Sequence, residues 1–354
     1  MVKKNPEEEG SAAPRRSIGI RDVARHAGVS TATVSRALNK PDAVSRTLRE
    51  RIEMAIEEIG YIPDASARAL SSRRTRTVGA IVPTVDNAMF AQGLQALQSY
   101  LATEDYLLLL ATNNYDLDVE LEQARNLVGR GIDALILRGD ERHPALRKML
   151  ATQNIPFVDV GVYHPDKPYA SVGVDNVEAG RALARYITGL GHRRIAMISA
   201  RTTNNDRARA RQRGVLEVLD TFGCAPPPPW HLHIHYRLDE ARDAMRALLG
   251  RDARPTAVIC GNDVLAYGAL LEAIRENVRV PEDLSIAGFD DLEWSRHLQP
   301  TLTTIHMPTN EIWVRAGRYL VDRLDARESL LHQKVEFSLI VRESTASPPS
   351  TQEG

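Results

Sequence analysis

Four side chains in one short segment, Thr31, Ala32, Ser35 and Arg36, have the chemistry to read a nucleic acid. An arginine can give two parallel hydrogen bonds to a guanine edge, and short side chains let a helix come close to bases and thymine methyls. The segment presenting them, Ile20 to Asn39 (IRDVARHAGVSTATVSRALN), predicts two short helices and a tight turn. Val23, Ala24 and Ala27 are the apolar stripe of the first, Arg21 to Ala27, and Gly28 ends it where left-handed backbone is cheapest. Ser30 is the cap of the second, Thr31 to Leu38, with Val34, Ala37 and Leu38 turned inward. Alone, the pair could equally be a helical hairpin from a domain core.

A third helix is expected after the cap Ser45, with Leu48, Ile52, Ile56 and Ile59 at helical spacing and Gly60 as the stop. Tyr61, Ile62, Pro63 and a small-residue run ending at Leu70 follow. DVARHAGVSTATVSRALN, VS, GYIP and ARAL at these distances closely resemble the headpiece and hinge of the lactose-repressor/galactose-repressor family. The resemblance runs to about Arg342. Gluconate-responsive members are similar in the first loop, PTVDNAMFA, and in the spacing of basic residues.

The resemblance implies a ligand-controlled, sequence-specific DNA-binding regulator, most simply a repressor, acting as a homodimer on a near-palindromic double-stranded operator. Arg36 would contact guanine, with Thr31 and Ala32 beside it. Ser30, Thr33, Ser35, Asn39 and Tyr61 would fix register on phosphates. The segment Asp64 to Ser71, with Ala67 and Leu70, would become a helix over the minor groove. Leu70 would be either the wedge at a central base step or a dimer contact.

Composition agrees. Residues 1–76 hold 15 Lys and Arg against 10 Asp and Glu, and the remaining 278 hold 30 against 36, so a basic head precedes an acidic body. No apolar run approaches the roughly 20 residues that span a bilayer, and the N-terminus lacks the apolar core of a signal peptide. Cys224 and Cys260 lack metal spacing, so reduced thiols in a cytoplasm are expected, with the nucleoid as the site of action.

From Val78 onward short apolar runs (Val78–Val82, Leu107–Ala111, Ala134–Leu137, Phe157–Val160, Ile195–Ser199, Ala257–Cys260, Leu284–Gly288) alternate with amphipathic stretches. These stretches are Phe90–Thr103, Val119–Val128, Val177–Leu190, Arg207–Phe222, Leu238–Leu249 and Val264–Glu276. The alternation predicts an α/β fold of parallel sheets covered by helices. Its length favours two doubly wound, periplasmic-binding-protein-like subdomains with a cleft between them. The resemblance puts the chain crossings near Val174–Asn176, Thr301–Ile305 and Lys334–Phe337.

Ligands in such folds lie beyond the carboxyl ends of strands. That rule selects Asp86 to Phe90, Arg138, Asp159, Asn262-Asp263 and Asp290-Asp291, any of which could instead be a helix cap. The resemblance adds Arg211 as a clamp on sugar or purine, Asp290 as acceptor of ligand hydroxyls, Asn262 as a polar contact, Tyr236 as a wall, and Met89 and Phe90 as an apolar lip. Arg207, one turn before Arg211, makes two arginines on one face and points to an anionic ligand, unless it is a solvated surface charge. The effector is therefore a sugar acid or sugar phosphate, a neutral sugar, or a nucleobase-like molecule.

His231, His233 and His235 alternate on one strand face, a zinc-like pattern without an evident fourth ligand, and neither metal nor cofactor is expected. No P-loop or nucleophile elbow is present, and Gly189-Leu-Gly191 precedes rather than follows a strand, which argues against an enzyme. A periplasmic-type sugar-binding protein is the alternative with the same body, but it would lack the head.

The expected organisation is a tail to residue 16, a headpiece over 17–63, a hinge over 64–76, a core over 77–344 and a tail over 345–354. Within the core, the resemblance implies that 77–174 plus 305–335 form one subdomain and 175–304 plus 336–344 the other.

Overall fold

The computed structural model describes residues 18–63 and 74–349. The expected first tail, most of the hinge, Ala67 and Leu70 lie outside the described residues. Contacts divide the chain into two units, one up to Thr75 and one from Arg76.

In the first unit α1 (Ile20–His26), α2 (Thr31–Asn39) and α3 (Arg46–Ile59) enclose a small core of Val23, Ala24, Val34, Ala37, Ile52 and Ala55. The Asp22 carboxylate accepts the Gly19 N–H at 3.0 Å and starts α1. Gly28 takes φ +62° in the turn, and the Ser30 hydroxyl accepts the Thr33 N–H at 3.1 Å. Gly60, at φ +66°, ends α3. Ser45 occupies the cap position of α3 but makes no side-chain cap hydrogen bond there.

The second unit holds two six-stranded sheets. The first is built from β1 (Thr77–Val82), β2 (Leu107–Thr112), β3 (Ala134–Arg138), β4 (Phe157–Val160), β5 (Ala170–Gly173) and β11 (His332–Lys334), in the order β11-β5-β4-β3-β1-β2. The second contains β6 (Ile195–Ala200), β7 (His231–Ile234), β8 (Ala257–Cys260), β9 (Ser285–Asp290), β10 (Thr303–His306) and β12 (Ser338–Ile340), in the order β12-β10-β9-β8-β6-β7. All pairings are parallel except β10 with β12. The central strands are buried on both faces, which is why they read as unbroken apolar runs.

Helices α4 (Ala88–Thr103), α5 (Leu117–Gly129), α6 (Pro144–Thr152) and α11 (Thr309–Leu324) belong with the first sheet, and α7 (Asn176–Gly189), α8 (Asp206–Thr221), α9 (Leu238–Leu249) and α10 (Asp263–Arg275) with the second. The chain passes between sheets after β5 and between β11 and β12. The remaining crossing differs from expectation. Thr301–Ile305 runs into β10, which pairs with β9, and the chain leaves the second sheet only at Met307–Pro308 to enter α11.

The expected second tail also begins too early. Ser344 is fully buried, the Ala346 N–H donates to Ser285 Oγ at 3.0 Å, and Tyr186 meets Thr345 at 2.9 Å. These bonds hold the chain to the second sheet past 344.

Two helix contacts are close enough to require glycine. A Cβ on Gly180 of α7 would lie 2.2 Å from the Arg211 carbonyl, and one on Gly214 of α8 would lie 2.0 Å from the Val177 carbonyl. The backbones of α7 and α8 therefore touch.

Candidate functional site

On the headpiece, α2 buries Val34 and Ala37 and leaves Thr31, Ala32, Arg36 and Asn39 exposed, with Thr33 and Ser35 half-buried. Among the described residues Arg36 has no ion-pair partner. The Asn39 amide donates to Ser35 Oγ at 3.3 Å, and Ser30 and Thr33 share a hydroxyl hydrogen bond of 2.8 Å. Ser30 thus caps the helix while staying on its exposed end. Tyr61 is half-buried against the small core.

In the core, the segments after β2, β3, β6, β8 and β9 meet. Arg211, in the second turn of α8, donates from Nε to Asn176 Oδ1 at 3.2 Å and from Nη1 to the Gly261 carbonyl at 3.2 Å and to Asp290 Oδ1 at 3.5 Å. Its guanidinium lies 5.4 Å from the Phe289 ring centroid. The touching backbones of α7 and α8 bring Asn176 within its reach.

Asp290 ends β9 at φ +111°, followed by Asp291 at +55°, an uncommon pair for non-glycine residues. Burial pushes the Asp290 carboxyl up to about 6, against the opposing pull of Arg211 and Arg138. Its Oδ2 and the Asn262 Nδ2 are buried and neither makes a well-aligned hydrogen bond, although the Asn262 amide lies close enough to Asp290 to lower its pKa; Asn262 Oδ1 caps α10 by accepting the Leu265 N–H at 3.0 Å. A bound hydroxyl that donates to the carboxylate and accepts from the amide would complete both groups.

Arg138, at the end of β3, lies against Met89 (3.9 Å to Sδ) and the Phe90 ring (5.6 Å to its centroid), so these three come together. Arg207, in the first turn of α8, is buried and packs its Nη1 onto Gly139. It is therefore not a solvated surface charge. Tyr236 is half-buried at the end of β7 and lies close enough to Tyr115 to raise that phenol's pKa.

Asp159 is not in this group. Strand alternation sends Val158 and Val160 to one face and Asp159, with Phe157, to the face covered by α5 and α6. There it accepts from Arg142 Nη2 at 2.5 Å, and Arg142 Nη1 donates to Glu120 at 3.1 Å. All three side chains are essentially inaccessible. Arg142 also bonds the carbonyls of Arg138 and Gly139, so Asp159 acts one step away, holding the loop that carries Arg138.

Sequence reasoning missed Tyr115, whose phenol burial pushes up and whose surroundings include Arg207, Arg138 and Arg211. The rule that selects residues after each strand, applied after β2, points to it. Asn114 and Tyr115 both have left-handed backbone. Three bonds cross from the first sheet's loops to α8 and its approach: Asn204 Nδ2 to the Tyr115 carbonyl (2.9 Å), the Asp140 N–H to Asp206 (2.6 Å), and Arg209 to Glu141 (2.9 Å).

The alternating histidines do not assemble a metal centre: His231 bonds Gln212 at 3.1 Å and His235 bonds Glu240 at 2.9 Å. Cys224 and Cys260 are both buried and unpaired. No described helix is long and apolar enough to cross a membrane.

Residues 19–64 match the model of bacterial regulatory proteins of the lacI family, and residues 184–345 that of a periplasmic binding protein-like domain. The HTH-type transcriptional repressor PurR of Erwinia tasmaniensis is 32% identical over 333 residues, covering 93% of this chain and 97% of that protein. The transcription regulator GntR from Chromobacterium violaceum superposes with a TM-score of 0.72 at 28% identity, over 76% of this chain and 99% of that one. The lac repressor dimer bound to operator and the anti-inducer ONPF shares the fold, with a TM-score of 0.84 at 24% identity over 94% of this chain and all of that one.

Proposed function

The chain belongs to the lacI family of bacterial regulatory proteins, and from that premise we propose how its two units divide the work of a ligand-controlled, DNA-binding transcriptional repressor. It is a regulator and not an enzyme. The exposed face of α2 enters the major groove, with Arg36 on a guanine, Thr31 and Ala32 beside it, and Ser30, Thr33, Ser35, Asn39 and Tyr61 toward phosphates. Ala67 and Leu70, in the hinge, contact the minor groove. A small polyhydroxylated effector binds in the cleft of the core, on Arg138, Arg207, Arg211, Asn262 and Asp290, with Met89, Phe90 and Tyr236 as walls and Tyr115 at its centre. The protein works in the cytoplasm, at the nucleoid when on its operator.

The observation that carries this reading is the buried Asn262 amide and Asp290 carboxylate, close to each other beside Arg211 with hydrogen-bonding capacity left over, at the carboxyl ends of β8 and β9. The bonds from Tyr115, Asp140 and Glu141 to the approach and first turns of α8 support a cleft that ligand occupancy can hold shut. A second copy covers the edge strand β2, where Leu107 and Leu110 are 70% and 42% exposed.

The test begins with sites selected by the full chain from random DNA. They should be near-palindromic. Arg36→Ala should keep weak, salt-sensitive binding and lose discrimination at one base pair per half-site, worth about 1–3 kcal/mol. An unchanged footprint would reject the assignment of α2.

A further inference from the structure

We infer that the effector is an anionic polyol, whose carboxylate or phosphate oxygens sit between Arg138 and Arg207 while its hydroxyls meet Arg211, Asn262 and Asp290; this rests on the cleft reading above. Charges enclosed away from water need partners. Among the described residues Arg138 makes no ion pair, and its Nε has no hydrogen-bond partner. It touches a thioether and a phenyl ring, and the one carboxylate that acts on it, Asp290, does so without an ion-pair contact and is paired with Arg211.

Arg207 pairs only with its chain neighbour Asp206, at 2.7 Å, and that carboxylate already accepts the Asp140 N–H. Arg211 has Asp290, at 3.5 Å. Three guanidiniums thus face two carboxylates, and Arg138, the one without an ion pair, is half-buried with its Nε inaccessible. A buried charge without a partner is destabilising.

The direction of the Arg138 pKa agrees. Burial first, then the charges of Arg207 and Arg211, pull it down to about 9. A guanidinium keeps its proton at neutral pH, so the imbalance is expressed as affinity for an anion rather than as proton loss. The other end of the site asks for hydroxyls. Hydroxyls can donate to Asp290 Oδ2 and accept from Asn262 Nδ2, neither of which makes a well-aligned hydrogen bond within the protein. A neutral sugar would satisfy that end and leave Arg138 as it is. A simple anion would do the reverse. An acidic or phosphorylated sugar does both.

The experiment measures melting temperature and calorimetric affinity of the full chain with inorganic phosphate, sulfate and chloride at matched ionic strength, and with D-gluconate, D-glucose 6-phosphate and D-glucose. We expect phosphate and sulfate to stabilise more than chloride, and the two anionic sugars more than glucose, the stronger of the two identifying carboxylate or phosphate as the anion. Arg138→Gln should raise the ligand-free melting temperature and weaken anion binding roughly tenfold or more, the loss of one charge-assisted contact. Arg138→Lys should retain part of the preference. Arg213→Gln, a change at an exposed arginine paired with Glu217, should retain all of it.

The inference is overturned if the unsubstituted protein shows no preference for anions, if Arg138→Gln retains it, or if that substitution lowers the ligand-free melting temperature. If glucose alone stabilises and Asp290→Asn removes the effect while Arg138→Gln does not, the cleft stands and the anionic class falls. If neither substitution changes any ligand response, the cleft assignment falls with it.

Discussion

Asp263 shows how much depends on which way one side chain turns. It follows Asn262 directly, and both are polar residues after β8. Asn262 leaves its amide at the cleft, whereas Asp263 is fully buried and accepts from Ser295 Oγ (2.6 Å), Thr304 Oγ1 (2.6 Å) and the Leu292 N–H (2.8 Å). It therefore pins the turn that follows Asp290. Burial, then the nearby charge of Asp290, pushes its pKa up to about 8. A folded pKa above the unfolded value of about 3.9 means the protonated form favours folding. That contribution is complete below pH 4 and is lost as pH rises toward 8. Relative to Asp263→Asn, which does not titrate there, the wild-type melting temperature should fall between pH 4 and 8; a difference that stays constant with pH by calorimetry would refute this. The sequence marks a polar residue after each strand, but it does not say whether that residue faces the ligand or braces the loop. Asp159 and Asp263 both brace. Pairing partners far away in sequence, such as Arg142 and Thr304, make that choice.

At the scale of elements, the contact of α7 with α8 decides where Arg211 stands. Gly180 and Gly214 each meet backbone of the opposite helix, and backbone cannot turn aside as a side chain can. Gly214→Ala should force the helices apart, costing roughly 1–3 kcal/mol and several degrees of melting temperature. It should weaken effector binding as well, because Arg211 would lose Asn176. Gly189→Ala, at a glycine of α7 with nothing within 4 Å, is the control and should be neutral or slightly stabilising by calorimetry. Equal losses in both variants would dismiss the role given to the contact. The long elements were legible because their signals are local: apolar runs for β1 and β6, a helical stripe for α7. The elements not read are short or weakly apolar. Strand β5 is Ala-Ser-Val-Gly, β11 is His-Gln-Lys at a sheet edge, and neither resembles a core strand. Helix α11 does carry a stripe, Ile312, Trp313, Ala316 and Leu320, yet its place could not be read. It follows a strand of the second sheet and packs on α4 of the first, with the Trp313 ring over Gly93.

At the scale of the whole molecule, assembly is the exposed question. Leu110→Lys, on the outer edge of the first sheet, should leave the folding free energy of the core within about 0.5 kcal/mol of wild type, as surface changes do. It should shift the protein toward monomer in sedimentation and weaken operator binding with it. A stable dimer in that variant would place the interface elsewhere. The interleaving of the two sheets has a further consequence, in the order in which the protein is made. The three helices of the first unit are complete at Ile59, but the first sheet waits for β11 and the second for β12 at Ile340. At roughly 5–20 residues per second that is an interval of tens of seconds. During it a nascent chain carries a finished reading head and no means of control. Pairing of two copies multiplies weak half-site contacts, so an unpaired head should hold an operator far more weakly than the finished dimer.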